Sequence, residues 1–152
     1  MGLFIEDLLN FGNLIDAELE IDIKPELLET VYSGLNFIPE AGILRISGRK
    51  KALLFNRSYE VKIAEESYRV KKDRESGKQW VFFRVLSKGG LDELLKKDGF
   101  LKEEEYLGMD VMPALVLTDL YKKVPNQFKD KLVINRYKLN KEGLKAFFKF
   151  EK

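Results

Sequence analysis

The chain has 152 residues, 45% of them hydrophobic, and its 27 Lys and Arg against 25 Asp and Glu leave a formal charge of +2. That length and apolar content predict one folded domain with its own core. Because the chain contains no Cys and no His, disulfides, thiolate zinc sites, Cys nucleophiles and His general bases are excluded. We therefore predict no catalytic residue, no metal site and no cofactor, and we favour a binding protein over an enzyme.

The composition also bears on where the protein works. No segment reaches the roughly 18 consecutive apolar residues of a membrane-spanning helix, and no basic stretch precedes the first apolar segment. We expect a cytoplasmic protein without membrane contact. Its 16 Glu and 20 Lys against 2 Gln match the charge-rich composition of hyperthermophile proteins, which predicts a source that lives at high temperature.

The first predicted elements are a helix, a strand and a second helix. An apolar stretch over 3–11 ends at Gly12, which predicts a short helix. Apolar and acidic residues alternate without interruption over 15–23, which is typical of a strand with one buried face. The segment 25–35 begins with proline and ends beside Gly34, which predicts the second helix.

After a predicted loop at 37–42, five apolar segments predict the strands of an antiparallel sheet. They are 43–46, 52–55, 59–63, 68–72 and 79–86. The last two flank the turn Glu75-Ser76-Gly77. A left-handed Gly77 in a three-residue loop makes Arg74 pair with Lys78. The cross-strand pairs that follow are Lys72 with Trp80, Val70 with Phe82, and Tyr68 with Arg84.

The remainder is predicted to be mostly helical, with helices over 91–95, 102–107 and 113–124. A strand over 131–139 and a helix over 141–150, capped by Asn140, complete the chain.

The predicted fold class is therefore α+β: an antiparallel sheet from 14–87 with a helix on one face, followed by a helical C-terminal segment that returns one strand. We predict a single domain over 1–152, divisible into a sheet-rich part, 1–88, and a helical part, 89–152. The final strand and helix resemble the end of winged-helix proteins, and this resemblance implies a reading helix over 113–124. The first part of that helix is apolar and lacks the Arg, Asn or Gln that read base edges.

The charge is segregated along the chain, with net values of −8 over 1–44, +8 over 45–88, −5 over 89–121 and +7 over 122–152. The +8 segment contains a hairpin in which cations alternate with Tyr68, Trp80 and Phe82. Cations for phosphates beside aromatic rings for bases predict a surface that binds single-stranded nucleic acid. The candidate nucleic-acid-binding residues are Arg69, Lys71, Lys72, Arg74, Lys78 and Trp80. The alternative is that these aromatic residues belong to the core.

Two further patterns suggest metal chemistry. The acidic face of the first strand carries Asp16, Glu18, Glu20 and Asp22, which predicts either a cation site or ion pairs with Lys62 or Arg69. Pro39-Glu40 followed by Glu60-Val61-Lys62 resembles the motif of a large nuclease family, with Glu40 in place of its first Asp. The resemblance covers five residues and implies that the two acids hold Mg²⁺ and that Lys62 assists the attack of water.

The function we expect is that of a small non-enzymatic accessory protein. It contacts nucleic acid or a nucleic-acid-processing assembly through the basic aromatic hairpin. The alternative is a self-associating structural or interaction subunit, a homo-oligomer whose interface is formed by the first helix and the strand Trp80–Phe83. A metal-dependent nuclease is the third hypothesis.

Overall fold

The computed structural model describes residues 18–51 and 53–151, and this part of the chain is built mainly from β-strands. The elements in order are β1 (Glu18–Ile23), α1 (Pro25–Val31), β2 (Asn36–Glu40), β3 (Ile43–Lys51), β4 (Asn56–Lys72), β5 (Gln79–Ser87), α2 (Leu91–Leu95), β6 (Phe100–Glu103), β7 (Tyr106–Asp110), α3 (Met112–Leu115), α4 (Asp119–Lys123), α5 (Asn126–Lys129), β8 (Leu132–Asn140) and β9 (Gly143–Phe150).

The strands form two antiparallel sheets. The three-stranded sheet has the order β1-β9-β8, and the six-stranded sheet has the order β2-β3-β4-β5-β7-β6. Buried residues of both sheets and of the short helices make one hydrophobic cluster, in which Tyr137, Phe83 and Phe148 are the largest fully buried side chains. The α+β class and the antiparallel pairing are thus confirmed, with more strand and less helix than predicted. The single sheet predicted over 14–87 is wrong, because β1 pairs with β9 in a separate sheet and β6 and β7 join the strands β2–β5.

The prediction for the first strand is confirmed over Glu18–Ile23, where Leu19, Ile21 and Ile23 point into the core. Residues 15–17 and the helix predicted over 3–11 lie outside the described residues. The second helix is shorter than predicted and ends at Val31. The segment predicted as a loop contains β2, which pairs with β3.

The helix predicted over 141–150 is wrong, because this segment is β9 and forms a hairpin with β8. The Asn140 carboxamide accepts hydrogen bonds from the backbone N–H groups of Glu142 and Gly143, so it closes a turn instead of capping a helix. Gly143 has φ of +144°, and a Cβ there would lie 2.7 Å from the carbonyl oxygen of Ile23. The resemblance to a winged helix fails here, since a strand stands where the closing helix was expected.

The other predicted C-terminal helices are also corrected. The segment 102–107 belongs to the hairpin β6–β7, whose turn places Glu104 at φ of +53°. The reading helix predicted over 113–124 is divided into α3 and α4, because the Thr118 hydroxyl accepts a hydrogen bond from the Tyr121 N–H and starts a new helix. Among the helices of the described residues, none is long and apolar enough to span a bilayer.

Polar side chains join the two sheets through the core. The Tyr137 hydroxyl on β8 contacts the backbone of β4 and β5. The buried amide of Gln79 donates to the Leu132 carbonyl at 2.8 Å and accepts from the Ile134 N–H at 3.2 Å. These contacts fix β8 against the long hairpin β4–β5 and so set the position of the basic segment predicted to bind nucleic acid.

Candidate nucleic-acid interface

The hairpin around Gly77, residues 68–80, differs in register from the prediction. Gly77 has φ of +77°, so the left-handed conformation is confirmed. The loop has four residues, however, because the Asp73 N–H bonds to the Lys78 carbonyl and the Asp73 carboxylate accepts the Glu75 N–H. Hydrogen bonds from Ser76 lower the pKa of this carboxyl group. The observed pairs are Lys72 with Gln79, Lys71 with Trp80, and Val70 with Val81.

A bulge in β4 interrupts its pairing with β5 next to this hairpin. Pairing with β5 passes from Glu65 with Phe83 directly to Val70 with Val81, so the four residues 66–69 oppose Phe82 alone. Tyr68 lies in the bulge and is 76% exposed. The Arg69 guanidinium lies 3.8 Å from the ring centroid of Tyr106, which holds it against the sheet surface.

Trp80 is not available for base stacking in this structure. It is 7% exposed and Phe82 is 5% exposed. A Cβ on Gly108 would lie 2.8 Å from the Phe82 ring, so that ring rests directly on the glycine of the neighbouring strand. The alternative that these two aromatic residues are core is confirmed. The stacking role predicted for Trp80 is corrected.

Most cations of the Gly77 hairpin have partners within the chain. The Lys72 ammonium donates to the carbonyls of Asp130 and Leu132 at 2.8 and 3.0 Å. Arg74 forms an ion pair with Glu151, and Lys78 lies 3.5 Å from Asp98. Arg69 and Lys71 are exposed and form no ion pair within the described residues.

The acidic face of β1 is neutralised by cross-strand ion pairs. Glu18 pairs with Arg136 at 2.9 Å, Glu20 pairs with Lys145 at 2.9 Å, and Asp22 lies 3.9 Å from Lys145. The hydrogen bond from Arg136 holds the pKa of Glu18 below its usual value. Ion pairing was predicted, but its partners are neither Lys62 nor Arg69.

The described residues contain no metal site of the kind that the nuclease hypothesis requires. Glu40 and Glu60 are brought to one face of the sheet, but the guanidinium of Arg45 stands between them at 3.2 and 3.7 Å. A cationic side chain therefore occupies the position between the acids that the motif assigns to Mg²⁺. Within residues 18–51 and 53–151, no group of three or more acidic side chains is arranged to hold a metal ion.

The prediction that Trp80–Phe83 forms part of a self-association interface is wrong. Trp80–Phe83 lies in β5 between β4 and β7, and all four side chains are buried within the chain. The segment Trp80–Phe83 therefore offers no side-chain surface to a second copy.

A second basic hairpin stands out from the sheet. The pairing of β3 with β2 ends at Ser47, and the pairing of β4 with β5 begins at Lys62. Beyond these points β3 and β4 pair with each other and with no other strand of the described residues. We call residues 49–51 and 53–57 the basic ribbon.

The basic ribbon carries cations on both faces. Side chains of directly paired residues share a face of a two-stranded ribbon, so Lys50 and Arg57 lie on one face and Arg49 and Lys51 on the other. Lys50 lies 3.5 Å from Glu93 of α2. The other three are exposed and form no ion pair with any described residue.

Large apolar side chains occupy the tip of the ribbon. Leu53 is 102% exposed, Leu54 is 91% exposed and Phe55 is 62% exposed. The strand predicted over 52–55 is wrong for these three residues, which form a bend between β3 and β4. An exposed apolar cluster of this kind marks an interaction site. The sequence does carry a signal for an exposed tip, because Leu53-Leu54-Phe55 lacks the alternation of a half-buried strand and is bracketed by cations.

The base of the ribbon is anchored and polar. Tyr59 packs against Gly48 and Gly90, where a Cβ would collide with its side chain. On the surface nearby, a depression is lined by Arg49 and Lys97 together with hydroxyl and amide groups of neighbouring residues. Cations beside hydroxyl groups suit a phosphate.

These observations place a cationic, apolar-tipped projection at one end of β4, and at the other end a hairpin in which Lys72, Arg74 and Lys78 are already engaged by carbonyls or carboxylates. Comparison with protein-family models, with curated proteins and with solved structures finds no match for this chain.

Proposed function

We propose that the protein is a non-enzymatic binding protein that contacts nucleic acid, alone or within a nucleic-acid-processing assembly, with the basic ribbon as its main contact. The observation that carries this proposal is that Arg49, Lys51 and Arg57 project from a hairpin that pairs with no other described strand, and form no ion pair with any described residue. Cations in this state release the counterions of a phosphate backbone without first breaking an internal ion pair.

The Gly77 hairpin is a secondary contact in this proposal. Of its predicted binding residues, Arg69 and Lys71 are exposed and outside ion pairs in the described chain. Lys72, Arg74 and Lys78 are engaged by carbonyls or carboxylates, so binding through them requires the loss of an existing contact. We therefore expect a smaller contribution from this hairpin than from the ribbon.

The test measures the affinity for labelled oligonucleotides as a function of salt concentration. In the triple variant Arg49→Glu, Lys51→Glu, Arg57→Glu, we expect the slope of log Kobs against log salt to become shallower by about 2.7, since each phosphate contact contributes about 0.9. The matched control reverses the charge of Lys122, Lys123 and Lys141, which are exposed and lie on other elements.

Both variants change the net charge equally, so a general electrostatic effect lowers affinity in both. The proposal requires that the ribbon variant lose affinity while the control retains it. Equal losses, or no binding by the wild-type chain at low salt, would overturn it.

A further inference from the structure

The apolar tip gives the basic ribbon a second property that phosphate binding alone does not use. Leu53 and Leu54 are almost completely exposed and Phe55 is mostly exposed, directly beside Lys51 and Arg57. Resting on the function proposed above, we infer that the ligand is double-helical DNA, and that the ribbon enters a groove and inserts its apolar tip at a base step, unstacking the step and bending the duplex.

The two-faced distribution of cations points to a groove. A groove has a phosphate backbone on each wall, so a ribbon lying in it needs positive charge on both faces. The ribbon provides Arg57 on one face, beside Lys50, which is paired with Glu93, and Arg49 with Lys51 on the other. Its two strands are about 4.8 Å apart, which makes it narrow enough to follow a groove of B-form DNA.

The chemistry of the tip points to insertion. Proteins that kink DNA place Leu, Phe or other apolar side chains between base pairs, where the rings or branched chains replace lost stacking. The tip offers three such side chains in succession, none of which is needed in the protein core. Insertion would remove their exposed surface from water.

The extent of the cationic surface distinguishes DNA from a lipid bilayer. A bilayer surface is flat, so when an apolar tip is inserted into it, only cations at one level along the ribbon reach the lipid headgroups. Here the positive residues continue from Lys51, beside the tip, to Arg49 and then to Lys97 in the depression at the base of the ribbon. Positions 49 and 51 alone are about 7 Å apart along the strand. A duplex that follows the ribbon can contact this whole length.

The ribbon is also supported at its base. Tyr59 fills the space above Gly48 and Gly90, and the ion pair of Lys50 with Glu93 ties the ribbon to α2. A ribbon that is held at its base keeps its direction when its cations bind the phosphates, so the tip is pressed towards the bases. A ribbon without this support would bend away from the duplex.

The experiment uses a short DNA duplex with dyes at both ends and the fluorescent base 2-aminopurine inside. With the wild-type chain we expect energy transfer to increase as the ends approach, and 2-aminopurine fluorescence to rise as its step unstacks. The triple variant Leu53→Ser, Leu54→Ser, Phe55→Ser should lose both signals and bind more weakly, but it should keep the wild-type salt slope. The control variant Leu86→Ser, Leu117→Ser removes exposed apolar residues elsewhere and should keep both signals.

The outcomes separate this inference from the proposed function. If the Arg49, Lys51, Arg57 variant binds as the wild type does, the ribbon is not the contact and both fail. If binding depends on these cations while the wild-type complex shows neither signal, insertion alone is overturned. Tighter binding to duplex RNA of the same sequence, or to vesicles containing anionic lipid, would overturn the assignment to DNA.

Discussion

The hydroxyl of Tyr137 donates a hydrogen bond of 2.5 Å to the backbone carbonyl of Phe82. The same oxygen accepts a hydrogen bond of 2.7 Å from the backbone N–H of Glu66. Glu66 begins the bulge of β4, where the usual partner on β5 is missing. A side chain of the three-stranded sheet therefore supplies the hydrogen bonds that the bulge of the six-stranded sheet cannot make itself.

Removing this hydroxyl should destabilise the protein. Tyr137→Phe leaves the Phe82 carbonyl and the Glu66 N–H without their partner, and we expect a loss of about 1–3 kcal/mol in the free energy of unfolding. Urea denaturation measures it. Tyr68→Phe is the control, because Tyr68 is 76% exposed and its loss of a hydroxyl should be nearly neutral. Equal stability of the two variants would contradict the role given to Tyr137.

The Gln79 amide should be equally sensitive to replacement by an apolar residue of similar size. Gln79→Met keeps most of the buried volume but removes the side-chain acceptor of the Ile134 N–H and one of the two donors to the Leu132 carbonyl, which keeps its bond from Lys72, and we expect a cost of about 1–3 kcal/mol. The other glutamine of the chain, Gln127, is exposed on α5, so Gln127→Met is the matched control. A thermal midpoint that falls only in the first variant supports the bridge between the sheets. No difference between them excludes it.

The ion pair of Glu18 with Arg136 should make stability depend on acid pH. The hydrogen bond from Arg136 lowers the pKa of Glu18 in the folded state below its ordinary value of 4.5. The stabilisation is therefore complete above about pH 4.5 and is lost as the pH falls through the lower pKa of the folded state.

We expect Glu18→Gln to lose roughly 0.5–1 kcal/mol near neutral pH, because the pair is partly exposed, and to lose less further stability than the wild type below pH 4.5. Chemical denaturation at several pH values tests this, and an NMR titration of the Glu18 carboxyl group reports its pKa directly. In Arg136→Met that pKa should return towards its ordinary value. An unchanged titration in this variant would show that Arg136 is not the cause.

The two basic hairpins should contribute unequally to nucleic-acid binding. We compare Arg49→Glu, Arg57→Glu in the ribbon with Arg69→Glu, Lys71→Glu in the Gly77 hairpin, since both double variants change the net charge by the same amount. The ribbon variant should show the larger rise in Kd, because Arg69 is held against Tyr106. A larger effect of the second variant would return the main contact to the hairpin around Gly77.

Local patterns predicted much of the sheet and failed where contacts distant in sequence decide the structure. The alternation that ends at Ile23 identified β1, because one face of that strand is buried. An asparagine such as Asn140 is typical both of a helix cap and of a turn, so its identity does not distinguish the two. The segment after it is a strand because β9 pairs with both β1 and β8. The ribbon escapes prediction for a related reason, since Leu53 resembles a core residue in the sequence, and only the described structure shows that its side chain is fully exposed.

The register of the Gly77 hairpin could not be obtained from its strands. It depends on the Asp73 carboxylate, which accepts backbone N–H groups within the loop and moves the closing pair to Asp73 and Lys78. One residue of difference in loop length exchanges the two faces of a strand.

Because the four-residue loop of the Gly77 hairpin fixes the register, the adjacent residues Lys71 and Lys72 point to opposite faces and should differ in how well they tolerate substitution. Lys72 is turned towards β8, where its ammonium donates to the carbonyls of Asp130 and Leu132, and shortening it removes both hydrogen bonds, although the Leu132 carbonyl keeps its bond from Gln79. Lys71 is turned outward beside Trp80. In a library covering both positions and selected only for folding, position 71 should accept most polar residues, while position 72 should remain restricted to long side chains that donate hydrogen bonds.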